Sequence, residues 1–225
     1  LVYIGLAGLH KPDRYFLPDG GQTDMRQSPP IYATLFGNSS AQLPAVFCKH
    51  YANKPYSQDV FRADGQLDIT CHGPFKLMAP LLKWLGQVPP FTACNVPVTV
   101  LFCSEPHSNA LIMDRLFHFE HGPYRFRSKI IPLENGNAIE VMRYRLCWKM
   151  RFIWDDNKVR LEAHSYGLYL FGHYIPLPLG WLLGKADADE QAIDDSHFSM
   201  QTSITHPLWG KVYGYAGILK MVDPT

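Results

Sequence analysis

From Ser57 onward the chain is a succession of short segments in which apolar and polar side chains alternate, separated by turn residues. Side chains of an extended strand point alternately to the two faces of a sheet, so this pattern dictates half-buried antiparallel strands. Strands are expected at 57–61 and 67–72, joined by a turn at Ala63-Asp64-Gly65. Further strands are expected at about 96–103, 110–119, 123–131, 138–154, 158–171, 196–205 and 211–222, the 138–154 segment being open to interruption. Turn signals separate them, among them His121-Gly122-Pro123, Glu134-Asn135-Gly136-Asn137 and Asp155-Asp156-Asn157. Consecutive hairpins make a meander, and a long meander must curl to hide its edges. The expected fold is therefore mainly β (α+β): a curved antiparallel β-meander of about nine strands forming a barrel or half-barrel.

Helical segments are few. Ile31–Phe36 and Gln42–Tyr51 read as short N-terminal helices, with Ser39 or Ser40 as a cap for the second and Pro44 in its first turn. Phe75–Leu85 (FKLMAPLLKWL) reads as an inserted apolar helix, kinked or restarted at Pro80. Residues 1–30, rich in Pro, Gly and Asp towards their end, read as an N-terminal arm or linker, and 31–225 as a single β-rich domain.

Composition bounds the function. An apolar share of 47% suffices for a sizeable core. A net charge of +1, from 21 basic and 20 acidic residues, lacks the basic excess of a nucleic-acid binder, so no nucleic-acid partner is expected. The most apolar stretch, 168–184, holds Pro and Gly and is a poor membrane span. Leu1–Leu9 lacks the basic flank of a signal peptide. The five cysteines (Cys48, Cys71, Cys94, Cys103, Cys147) are odd in number and lack C-x-x-C spacing. They read as buried, reduced thiols of a cytoplasmic protein.

Motifs of chemistry are missing. The sequence holds no G-x-S-x-G, no H-E-x-x-H and no G-x-G-x-x-G, so no cofactor, metal or catalytic residue is assigned and enzymatic activity stays open. His118 and His121 are three apart on or beside a strand, where odd spacing separates side chains onto opposite faces. The acidic residues Asp187, Asp189, Glu190, Asp194 and Asp195 lack the spacing of a calcium loop and read as a solvated loop or helix start.

Two strands break the clean alternation. Arg115 shares the apolar face of Leu111, Met113, Phe117 and Phe119, and Glu140 that of Met142, Tyr144, Leu146 and Trp148. A buried charge normally finds a partner. Arg115 and Glu140 are therefore expected to pair inside the barrel, either as a structural ion pair or as a polar anchor for a ligand, with Tyr144 beside them. Phe75–Leu85 and Leu168–Leu183 are too apolar for an ordinary surface, and Trp84, Phe171, Tyr174 and Trp181 suit a wet apolar boundary. These segments either close the barrel as core or form a lid or membrane-touching rim over a cavity. Ligand-binding candidates are then Arg115, Glu140, Tyr144, Trp84 and Trp181, and the expected partner is an apolar or amphipathic, lipid-like small molecule, with peripheral membrane contact. The rival readings are a substrate-side domain of an oxidoreductase and an interaction domain using the basic strand face of Arg125, Arg127 and Lys129.

Several motifs occur in a familiar order: Leu43-Pro44 near His50, the Gly73–Pro90 stretch, Val96-Pro97-Val98-Thr99-Val100, Met113-Asp114-Arg115, Tyr174-Ile175-Pro176, and Pro207-Leu208-x-Gly210 with Tyr215-x-Gly217. In this the chain resembles, over about residues 31–222, the bacterial family called domain of unknown function 4166. The family pattern carries Trp where this chain has Met113. The resemblance supplies no catalytic residues. It implies an association with an upstream NAD(P)-binding, saccharopine-dehydrogenase-like domain, in the same or a separate chain.

Overall fold

The computed structural model describes residues 28–222. The arm expected over 1–30 lies, but for its last three residues, outside them. Eleven strands form one antiparallel sheet: β1 (Val60–Cys71), β2 (Ala93–Ser104), β3 (Leu111–Phe119), β4 (Gly122–Pro132), β5 (Asn137–Val141), β6 (Leu146–Asp155), β7 (Lys158–Leu170), β8 (His173–Leu177), β9 (Lys185–Ala192), β10 (His197–His206) and β11 (Gly210–Val222). Neighbours run in the order β6-β5-β4-β3-β2-β1-β11-β10-β9-β7, and β7 pairs back onto β6, which closes a ten-stranded barrel. Closure removes the free edges that a flat sheet of this length would expose. β8 stands outside the ring as a flap. The β7–β9 ladder runs only from Lys158–Gln191 to Glu162–Asp187, and beyond it β7 pairs with β8 instead.

The expected barrel is thus present, with local differences. Asp64-Gly65 is not a turn: β1 runs straight through it. Gly65 is needed for close approach, because a Cβ there would sit 2.1 Å from the Ile218 carbonyl oxygen of β11. Gly217 makes the reciprocal contact, 2.0 Å from the Gln66 carbonyl oxygen. Glycines at such crossings let a strongly coiled sheet bend. The segment 138–154 is indeed two strands, divided at 142–145. β8 and β9 were not expected as strands, and β9 is the one that matters. The acidic run begins not a solvated loop but a wall strand, whose Ala186, Ala188, Glu190 and Ala192 alternate inward while Lys185, Asp187, Asp189 and Gln191 face out. Short alanines sent the inward face below the threshold of an apolar pattern.

Five short helices serve the two ends of the barrel: α1 (Ile31–Phe36), α2 (Ala45–His50), α3 (Gly73–Leu77), α4 (Ala79–Trp84) and α5 (Gly180–Leu183). Ser39 and Ser40 do not cap α2; they lie in a 3-10 turn, and Pro44 occupies the cap position without a side-chain bond. The α1–α2 segment plugs one end. Phe47, His50 and Tyr51 enter the barrel among Phe102, Phe152, Trp154 and Phe198, with the His50 ring 4.3 Å from that of Phe102. Phe47, Phe102 and Phe198 are wholly buried, each worth about 1.5–3 kcal/mol over an exposed position. The apolar segment 75–85 breaks at Met78 into α3 and α4, with Pro80 in the first turn of α4, as the sequence suggested. These helices and α5 sit at the opposite end. They are not fully buried: Phe75 and Leu82 face inward, whereas Leu77, Leu81 and Trp84 face solvent.

Candidate functional site

Between plug and opposite end the barrel encloses a cavity of about 250 Å³. Its walls are mostly Leu, Met, Phe, Ile and Ala from the inward faces of the strands, with Leu81 and Leu82 from α4 and Leu182 and Leu183 from α5. Leu81 and Leu182 both line it and are both exposed, so the cavity reaches the surface between α4 and α5. Tyr51 and Glu190 mark the plugged end, and Arg115 and Glu140 one wall.

Arg115 and Glu140 do pair. The Arg115 guanidinium donates to Glu140 Oε1 at 3.4 Å and to Ser128 Oγ at 3.0 Å, and lies over the Phe126 ring at 4.8 Å. Ser128 Oγ also donates to Glu140 Oε1, and Trp148 Nε1 donates to Glu140 Oε2 at 2.6 Å. Register explains the cluster. Glu140 stands directly opposite Trp148, Ile130 opposite Glu140, and Met113 opposite Ser128, so a diagonal row crosses β3, β4, β5 and β6 on one face. Glu140 thus has three donors from three neighbouring strands. Within this cluster Arg115 Nε is the one polar side-chain atom without a hydrogen-bond partner.

A second polar group, missed in the sequence, sits where the plug meets β9. Tyr51 donates its hydroxyl to Glu190 Oε2 at 2.6 Å, and His50 Nε2 is 3.7 Å from the same oxygen. Neither His50 ring nitrogen has a hydrogen-bond partner. Burial pushes the Glu190 carboxyl up to about 7, against the lowering effect of the Tyr51 hydrogen bond and the Arg115 charge. Burial pulls His50 down to about 3, and Arg115 adds to this. Burial, followed by the Glu190 charge, raises the Tyr51 phenol well above its ordinary value. The interior near neutral pH therefore holds the Arg115–Glu140 pair, a neutral imidazole and a carboxyl poised to titrate. The period-two alanines around Glu190 were the one available signal for it.

Tyr144 is corrected. It does not share the inward face of Glu140. Tyr144 and Arg145 both have positive φ, 58° and 63°, in the tight turn between β5 and β6, which throws Tyr144 to the surface. There it stacks on Trp84, with ring centroids 5.0 Å apart. Trp84 and Trp181 are exposed on α4 and α5 and lie outside the cavity wall, whose helical lining comes from their leucine neighbours. The five residues singled out therefore divide into an interior pair and three rim aromatics. The basic face of β4 points outward as expected, but Arg125 pairs with Asp114 and Lys129 with Glu105. Cys71 and Cys147 are buried, whereas Cys94 is exposed, contrary to the expectation for all five. Among the described residues no group of three or more His, Cys, Asp or Glu side chains is placed to hold a metal ion.

Fold and site together define an antiparallel β-barrel, plugged at one end, with an apolar cavity that contains buried charged groups. The chain belongs to the family described as domain of unknown function (DUF4166), whose model matches residues 43–219. No curated protein matches the chain.

Proposed function

We propose that the barrel binds an apolar or amphipathic small molecule in its interior. The observation that carries this reading is the cavity of about 250 Å³, apolar over most of its wall and open between α4 and α5. Apolar cavities of about 150 Å³ accept hydrocarbon guests, and this one is larger. Ligand pockets typically join such walls to a few polar groups, here Arg115, Glu140, Tyr51 and Glu190. Glu140 already balances the Arg115 charge, and Glu190 is uncharged below about pH 7. An anionic head group would find no uncompensated cation, so a neutral oxygenated ligand such as an alcohol, ketone or ester fits better than a carboxylate.

The test is organic extraction and mass spectrometry of the purified protein, with displacement of an apolar fluorescent dye as a second readout. Ala188 lines the cavity, and Ala188→Phe fills it. The expected result is a co-purifying neutral molecule and a more than tenfold weaker dye affinity in Ala188→Phe. Absence of any extracted molecule, together with dye binding that Ala188→Phe leaves unchanged, would overturn the proposal.

A further inference from the structure

The two ends of the barrel differ in what they show to solvent. Of the fourteen large apolar side chains that are exposed among the described residues, all but Tyr56, Val60, Ile193 and Ile218 lie at the α3–α5 end, on its helices, its turns or the β8 flap. Phe171 at the tip of the flap is 91% exposed, Leu77 on α3 is 84% and Trp181 on α5 is 70%. A concentration of this kind at one end is an interaction surface rather than scattered exposure.

Charge separates the ends as well. The connections at the α3–α5 end (72–92, 120–121, 142–145, 171–184 and 207–209) carry Lys76, Lys83, Arg143 and Arg145 against a single acid, Glu120. The plug and the connections at its end (31–59, 105–110, 133–136, 156–157 and 193–196) carry six acids against Lys49 and Lys54. Among the described residues none of the four basic side chains at the α3–α5 end is ion-paired to a carboxylate. The Arg143 guanidinium lies 4.9 Å from the Tyr144 ring, which stacks on Trp84, so aromatic and cationic groups are interleaved.

We infer that the α3–α5 end docks on the surface of an anionic phospholipid bilayer. Trp and Tyr favour the head-group level, where an apolar ring meets water, and leucine and phenylalanine side chains insert beneath them. Basic residues beside them gain from the negative surface potential, and the acidic plugged end is repelled from it, which fixes the orientation. The wall does not enter the hydrocarbon, because its outer face carries charges such as Arg125, Arg127 and Lys129 on β4. The mouth between α4 and α5 then opens against the lipid. The inference concerns the surface alone and does not depend on the cavity being occupied.

The test is flotation of the full chain with phosphatidylcholine vesicles, with or without about one third phosphatidylserine. The expected result is flotation with the anionic vesicles only, weakening as salt rises. Trp84→Ser combined with Trp181→Ser should lower vesicle affinity more than tenfold, and Lys76→Gln and Arg145→Gln about fivefold each. Circular dichroism checks that these exposed substitutions leave the barrel folded. No flotation with either vesicle, equal flotation with both, or undiminished flotation of the tryptophan variant would each overturn the inference. So would a concentration-dependent dimer that the tryptophan variant abolishes without any vesicle binding, since the occupant would then be a second copy. Flotation without an extractable ligand would leave this inference standing and remove the preceding one.

Discussion

The two polar groups inside the barrel are built from similar parts and solve the burial problem differently. Around Glu140, three donors from β3, β4 and β6, the Arg115 guanidinium among them, satisfy the carboxylate. Around Glu190, one hydroxyl donates at 2.6 Å, while the nearby imidazole, at 3.7 Å, makes no hydrogen bond to it. The first group lies within consecutive hairpins, whose register sets its geometry. The second joins residues 139 apart in sequence, across the junction of plug and wall. Neighbouring strands can present several donors to one buried carboxylate. Where wall meets plug the donors are few, and burial raises the proton affinity of Glu190.

Removing one member of the satisfied group should have the largest effect. Arg115→Ala leaves Glu140 buried without its countercharge and should cost about 3–5 kcal/mol in urea unfolding. Arg115→Met with Glu140→Leu should recover part of that loss, because the uncompensated charge is gone while the Ser128 and Trp148 donors lose their acceptor. If the double variant is no more stable than the single one, the pair is not the source of the cost. Arg115→Met should also raise the Glu190 carboxyl further, readable by carbon-13 NMR titration, since the Arg115 charge now lowers it.

The poorly satisfied group should appear in the pH dependence of stability. Glu190 binds a proton below about 7 in the folded chain, against an ordinary value of 4.5, so its contribution falls as pH rises between the two, by about 3 kcal/mol in all. His50 runs the other way. Its folded value of about 3 lies below the ordinary 6.5, so its contribution rises with pH across that interval. From 4.5 to 6.5 the two slopes oppose, and the protein should show little net dependence there. Glu190→Gln should expose the rising His50 limb, and His50→Gln the falling Glu190 limb. Urea midpoints measured across pH check this, and identical profiles for protein and variants would refute it.

The smallest effect is expected at Tyr51. Tyr51→Phe deletes one hydrogen bond while keeping the ring packed against Phe36 and Phe152. It should cost about 1 kcal/mol at pH 5, where Glu190 is protonated, and more at pH 8, where the acceptor is charged. Equal losses at both pH values would mean that Glu190 does not change charge between them.

The same contrast explains what the sequence could tell. Arg115 and Glu140 were legible because each stands among large apolar side chains that repeat every second residue. Glu190 was not, because its inward neighbours are alanines and its outward ones acids, a pattern that also describes a solvated turn. The break at 142–145 hid Tyr144, since nothing in Met-Arg-Tyr-Arg announces two residues with positive φ. Gly65 misled in the opposite sense: Asp-Gly is a turn signal, yet here the glycine admits a neighbouring backbone. Closure of the ring and the existence of a cavity rest on which distant strands meet, and no local pattern states that.

The pairing of β1 with β11 carries a consequence for biosynthesis. It joins Arg62 to Val222, so the first strand of the ring waits for the last. Until some 160 further residues have emerged from the ribosome, β1 has one edge with no permanent neighbour. A nascent chain in that state presents a sticky hairpin array rather than a vessel, and its passage to the finished form depends on keeping that margin covered while synthesis is completed.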